Sequence, residues 1–156
     1  LAPDDPLADY PDRLREPELA GQPLRGFLTG SIDAVLRIRA EDSRFLVVDY
    51  KTNRLSPTGD LSVGHYGMDA MAQAMMDSHY PLQALLYCVA LHRFLGVRLA
   101  GYDPARHLGG VLYLFVRGMA GESKTSDTPT GVFAWAPPAD LVVAASALLA
   151  GKGGSP

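Results

Sequence analysis

Phe45-Leu46-Val47-Val48-Asp49-Tyr50-Lys51-Thr52-Asn53 is the stretch on which the reading of this chain turns. Four apolar residues, two of them β-branched, run directly into an aspartate. Such a run reads as a strand apolar enough to be central in a sheet. Residues two apart on a strand share a face, so Asp49 and Lys51 project together while Tyr50 points the other way.

Upstream, Ile32-Asp33-Ala34-Val35-Leu36-Arg37-Ile38 has the β-branched content and partial alternation of a second strand, and Ala40-Glu41-Asp42-Ser43 is a polar turn. The two strands are expected to pair as a hairpin, which carries Asp33 to the same sheet edge as Asp49 and Lys51. Two carboxylates and one ammonium in one cleft suit metal-assisted phosphodiester hydrolysis. Magnesium prefers oxygen, takes one or two carboxylates and keeps water and phosphate in its other positions. Asp33 and Asp49 are the candidate ligands, and the backbone carbonyl of Tyr50 is a candidate third. Lys51 is the candidate to orient a water and to offset charge growing on the phosphate. Asp-x-Lys by itself is a short pattern that also describes a solvated ion pair. The apolar run before Asp49 and the second aspartate next door favour the chemical reading.

Downstream, residues 55–64 read as loop around Ser56-Pro57-Thr58-Gly59. Met68, Met71, Met75 and Met76 lie at helical spacing over roughly 66–77, a core set in preference to a cofactor box. Pro81 opens the next helix, which is expected to run to about Leu95 and stop at Gly96. Gln83 and Tyr87, four apart, share a face of that helix. They either hydrogen-bond a substrate or metal-bound water, or form a core tyrosine capped by its glutamine; the pair alone favours the second. His107, beside Gly109 and Gly110, is read as satisfying a loop carbonyl in preference to touching phosphate. His65, His79 and His92 have no zinc spacing with Cys88. Residues 111–116 read as a buried strand, 118–131 as a polar loop, and 132–136 as a short strand. Residues 140–150 read as a closing helix with Asp140 as N-cap. The order read is strand, strand, helix, helix, strand, strand, helix.

The chain has 156 residues, 47% apolar and 20% charged, which suits one globular domain. Its longest apolar runs are too short to span a bilayer, and no secretory signal pattern is present. One cysteine permits no internal disulfide; a buried structural thiol and a reducing cytoplasm are expected. Five prolines among the first 23 residues predict an extended connector over 1–23, neither helix nor central strand. A folded domain over 24–150 and a frayed tail over 151–156 are expected to follow. With no initiator methionine, the chain reads as a piece of a longer polypeptide. The net charge is −3, but six of the acids fall in residues 1–20 against Arg13 and Arg15, and the remainder is near neutral. That balance neither supports nor excludes a DNA substrate and predicts weak DNA binding by this domain alone. No helix clusters base-reading side chains, so cutting without sequence specificity is expected.

Gly30-Ser31-Ile32-Asp33, then Asp49-Tyr50-Lys51, then Gln83 with Tyr87, resemble in order the G-x-x-D, D-Y-K and Q-x-x-x-Y motifs of the RecB-type branch of the PD-(D/E)xK nucleases. The stretches 82–87, 90–93, 102–103 and 106–118 extend the likeness, which covers roughly 24–150. The resemblance implies a restriction-endonuclease-like α/β core with a mixed central sheet flanked by helices. It implies Mg2+ on Asp33 and Asp49, a catalytic Lys51, and Gln83 and Tyr87 shaping the DNA-facing site. Thr52 and Asn53, which adjoin the site in sequence, are further candidate substrate-binding residues. Arg54, Arg93, Arg106 and Arg117 are candidates for the DNA path. The implied activity is that of an exodeoxyribonuclease of the exodeoxyribonuclease V type, processing double-strand breaks for recombinational repair. The implied partners are DNA, the helicase part of the same polypeptide, the RecC and RecD subunits, and the RecA recombinase. A rival reading makes the fold a docking module that loads a recombinase. The branch also carries a histidine metal ligand on a helix ahead of G-x-x-D. No histidine precedes His65, so weak or absent cleavage by this chain alone is expected.

Overall fold

A computed structural model of the chain describes residues 1–16, 29–39, 43–56, 58–119 and 130–151. Its elements, in order, are α1 (Tyr10–Arg13), β1 (Ala34–Ile38), β2 (Arg44–Lys51), a 3-10 turn (Val63–Tyr66), α2 (Met68–Asp77) and α3 (Tyr80–Arg98). There follow α4 (Pro104–His107), β3 (Leu108–Phe115), β4 (Val132–Trp135) and α5 (Ala139–Leu149).

The apolar run of β2 lies inside a four-stranded sheet of order β1-β2-β3-β4. β1 and β2 are antiparallel, as the hairpin reading requires, with Ala34 opposite Val48 and Ile38 opposite Arg44. β2 and β3 are parallel, and the register sets Val47 beside Val111, Asp49 beside Tyr113 and Lys51 beside Phe115. β4 returns antiparallel to β3, with Tyr113 opposite Phe133. Side chains in register share a face. One face therefore carries Val47, Asp49, Lys51, Val111, Tyr113, Phe115, Phe133 and Trp135, all buried. Met71 and Met75 of α2 and Ala84, Cys88, Leu91 and Leu95 of α3 belong to the same core. Burying side chains of this size contributes about 1.5–3 kcal/mol each. Asp49 and Lys51 are thus held at the polar end of an otherwise apolar face, while Tyr50 on the other face is 54% exposed.

β3 passes β4 closely at Gly110, whose φ is +89°. A Cβ there would stand 2.5 Å from the Trp135 carbonyl oxygen, so only glycine fits.

Three expectations are corrected, and one element is added. Residues 1–16 are not an extended connector: they carry turns and the helical turn α1, with Leu7 fully buried and Tyr10 nearly so. Proline is tolerated in a first helical turn, which is where Pro11 sits. The two apolar side chains supply the burial that a connector would lack. Tyr10 Oη lies 3.2 Å from His79 Nδ1, Arg13 pairs with Asp77 at 2.9 Å, and Trp135 Nε1 donates to Asp5 at 3.2 Å. Gly96 does not end α3, which continues to Arg98; Leu95 is buried beside it, and the left-handed residue is Gly101 instead. Asp140 does not cap α5: Pro138 is the N-cap, and Asp140 lies in the first turn, where its charge still favours the helix dipole. The segment before β3 contains a helical turn, α4, whose N-cap Asp103 accepts from the Ala105 amide at 2.9 Å. Residues 17–28 and 40–42, most of the 118–131 loop, and 152–156 lie outside the described residues.

Candidate active site

Asp49 is 4% exposed and Lys51 is 9% exposed. Alternation on β2 turns both inward, and each needs a partner there, because a buried unpaired charge is costly. Lys51 Nζ lies 2.7 Å from Asp49 Oδ2 and donates to Gln83 Oε1 at 3.0 Å. Asp49 Oδ2 accepts no hydrogen bond even so; the two groups meet as charges without bonding geometry. Asp33 immediately precedes β1, and the register carries it to the same end of the sheet as Asp49. Its exposed carboxylate accepts from the Tyr50 amide at 2.9 Å, which fixes it against β2.

α3 closes the site. Gln83 Nε2 donates to Tyr87 Oη at 3.1 Å, and Tyr87 donates to the Ser31 carbonyl at 2.8 Å. A single relay thus runs from Lys51 through Gln83 and Tyr87 to the segment that carries Asp33. The reading of Gln83 and Tyr87 as a self-contained core pair does not hold, since both ends of the relay are bonded to site elements. Burial first, then the negative charges of Asp49 and Asp33, raises the Tyr87 phenol above its ordinary pKa. Tyr87 therefore stays a donor at neutral pH. A cleft of about 550 Å³ opens beside this relay, lined among others by Gly30, Ile32, Leu86, Ala90 and Arg93.

Two carboxylates against one ammonium leave the site with an excess negative charge. Asp49 Oδ2 has the Lys51 ammonium 2.7 Å away but no hydrogen-bond donor, so it is held by charge alone. Among the described residues no group of three or more His, Cys, Asp or Glu gathers as a metal site. Two carboxylates with a backbone carbonyl suit a magnesium-type ion, which retains water in its remaining positions.

The flanking candidates are mostly committed to structure. The Thr52 carbonyl accepts from Arg117 Nε at 2.9 Å. The Asn53 carbonyl accepts from Tyr66 at 2.8 Å, and its side chain accepts from Tyr80 at 3.3 Å. Arg54 bonds the carbonyls of Ser56 and Gly59, and Arg93 bonds Ser146 on α5. His107 is buried at the end of α4, where its Nδ1 accepts from the Asp103 amide at 2.9 Å. Burial pushes the Cys88 thiol up to about 12, in keeping with a structural thiol.

Sequence reasoning missed Tyr80 and Tyr113. Tyr113 shares its one hydroxyl proton between the Tyr80 carbonyl at 3.1 Å and Gln83 Oε1 at 3.2 Å. The signal for Tyr80 was present, because 80, 83 and 87 follow one helix face. Tyr113 gave none, because its place beside Asp49 depends on which strands pair.

A profile described as the PD-(D/E)XK nuclease superfamily matches residues 7–143. The chain belongs to this superfamily. Its mixed sheet with flanking helices is a restriction-endonuclease-like α/β core, and members of the superfamily generally use divalent metal ions. The chain is similar to the RecBCD enzyme subunit RecB of Mycolicibacterium smegmatis, 61% identical over 153 residues, covering 96% of this chain and 14% of that protein. It is 58% identical over 151 residues to RecBCD enzyme subunit RecB of Mycobacterium tuberculosis (96% and 13% covered). It is 38% identical over 135 residues to that of Escherichia coli (86% and 10% covered). The chain thus spans 10 to 14% of the length of these relatives. No helix among the described residues is long and apolar enough to cross a membrane.

Proposed function

We propose that this domain hydrolyses phosphodiester bonds of DNA with magnesium, as the nuclease part of a helicase–nuclease assembly that processes double-strand breaks. The observation that carries the proposal is the buried Asp49 carboxylate, whose Oδ2 accepts no hydrogen bond yet lies 2.7 Å from Lys51 and its relay. Asp33, Asp49 and the Tyr50 carbonyl would hold the ion. Magnesium bound there supplies Lewis acidity toward phosphate and lowers the pKa of water. Lys51 offers its ammonium to the attacking water and to charge growing on the phosphate. Gln83 fixes that ammonium, and Tyr87 fixes Gln83 while holding the Gly30–Asp33 segment in place. Thr52 and Asn53 keep the strand end that faces substrate in its path. Cutting without sequence specificity and cleavage from an end are parts of the proposal; among the described residues no helix clusters base-reading side chains at the site. The likeness to RecBCD subunits favours RecC and RecD as partners; a helicase region of the same polypeptide, the RecA recombinase and the cytoplasm as the place of action are further parts of the proposal.

The test pairs metal binding with cleavage. Magnesium is expected to raise the melting temperature of this chain, and Asp49→Ala should abolish the rise. Degradation of linear duplex DNA by a cleaving polypeptide is expected to fall about 1,000-fold in Asp49→Ala, the scale of losing a site's main electrostatic element. A variant that cuts at the wild-type rate would sink the proposal. Resistance of covalently closed circles separates end-directed cutting from internal cutting.

A further inference from the structure

Tyr80 and Tyr113 surround the ammonium that the proposed reaction uses. Lys51 Nζ lies 3.7 Å from the centroid of the Tyr80 ring and 5.1 Å from that of Tyr113. The two rings are stacked, with centroids 5.8 Å apart and planes inclined by 16°. Tyr80 is fixed at both ends: its hydroxyl donates to the Asn53 side chain, and its carbonyl accepts from Tyr113.

An ammonium has three protons and no acceptor, and a buried one is costly unless each proton meets a partner. Gln83 takes one proton, and the Asp49 carboxylate stands 2.7 Å from the ammonium as a charge without accepting a hydrogen bond. The face of Tyr80 fills the remaining side. A ring face attracts a cation through its quadrupole, and the attraction grows where water is excluded. A third carboxylate in its place would compete for any metal ion. The ring does not, and it keeps its hold if Asp49 turns its oxygen toward a metal.

We infer that Tyr80, backed by Tyr113, is a positioning residue that seats the Lys51 ammonium by a cation–π contact, so that the lysine keeps its place when Asp49 is engaged by metal. The consequence for turnover rests on the nuclease reading above; the seating itself does not.

The sequence holds three lysines, Lys51, Lys124 and Lys152, so lysine labelled with 13C at Cε yields a three-signal proton–carbon spectrum of this chain. Lys51→Arg assigns the Lys51 signal by its disappearance. Ring current should move that signal upfield in the wild type. Tyr80→Phe, which keeps the face and drops the hydroxyl, should preserve the displacement, and Tyr80→Leu should remove most of it. The wild-type spectrum decides the seating whether or not Tyr80→Leu folds. In a cleaving polypeptide, Tyr80→Leu is expected to lower kcat about tenfold with KM for DNA unchanged, and Tyr80→Phe to restore it. An undisplaced Lys51 signal, or one that stays displaced in Tyr80→Leu, overturns the seating. An unchanged kcat in Tyr80→Leu beside an inactive Lys51→Ala overturns the positioning role. Cleavage that survives Lys51→Ala overturns the role given to Lys51 in the nuclease reading instead, and the spectrum still judges the contact.

Discussion

Gln83 uses both ends of its amide. Its oxygen accepts from Lys51 and Tyr113, and its nitrogen donates to Tyr87. A side chain so placed transmits position more than charge. Gln83→Leu, close in size, is therefore expected to lower kcat about 100-fold, the scale of an ångström-level misplacement at a reacting group. Steady-state kinetics on linear DNA check this, and a loss confined to KM would assign Gln83 to binding alone. Cys88 belongs to the same helix but to the core. Its thiol, pushed up to about 12 by burial, carries almost no thiolate at neutral pH. Maleimide should label it only as fast as the protein opens; labelling at the rate of a free thiol in the folded protein would contradict its placement.

The strands and helices that bear the site were legible because their patterns are strong. The apolar run of β2, the glutamine–tyrosine spacing of α3 and the aspartate ahead of β1 could each be read locally. What escaped was settled by partners distant in sequence. Leu7 and Tyr10 look like residues of a proline-rich leader until the core they enter exists. Tyr113 becomes a site residue only through the parallel pairing of β2 with β3. Gly96 reads as a helix stop, yet the buried Leu95 carries α3 past it. Elements also set the pH response. His92 on α3 lies 3.0 Å from the Tyr102 hydroxyl, and burial first, then Arg93, holds its pKa below 6.5. The unfolded chain then binds the proton more readily. This contribution to stability is present above pH 6.5 and is lost as pH falls through the folded-state value. His92→Gln should lose less melting temperature than the wild type between pH 7.5 and pH 5, taken as approximate bounds around the ordinary histidine value; parallel curves would clear His92. At β3, Gly110→Ala is expected to cost about 1–3 kcal/mol from backbone strain alone, with crowding against Trp135 added, as urea unfolding would show. An unchanged midpoint would mean that β3 and β4 sit farther apart than described.

For the molecule as a whole, the leading sixteen residues are part of the fold. They reach β4 through Asp5, the core through Leu7 and Tyr10, and the start of α3 through His79. Leu7→Ala is expected to destabilise the protein by about 2–5 kcal/mol. Calorimetry that finds no loss would return the segment to the role of a connector. The parallel pair at the centre of the sheet has a further consequence for the moment at which the site comes into being. Asp33, Asp49 and Lys51 leave the ribosome before any of β3, and strands joined by so long a crossover pair late. Until Tyr113 arrives beside Asp49, the lysine has its carboxylate but not the stacked rings or the fully braced glutamine. A half-made chain therefore carries the candidate groups without the ring and the bracing that the finished sheet brings to them.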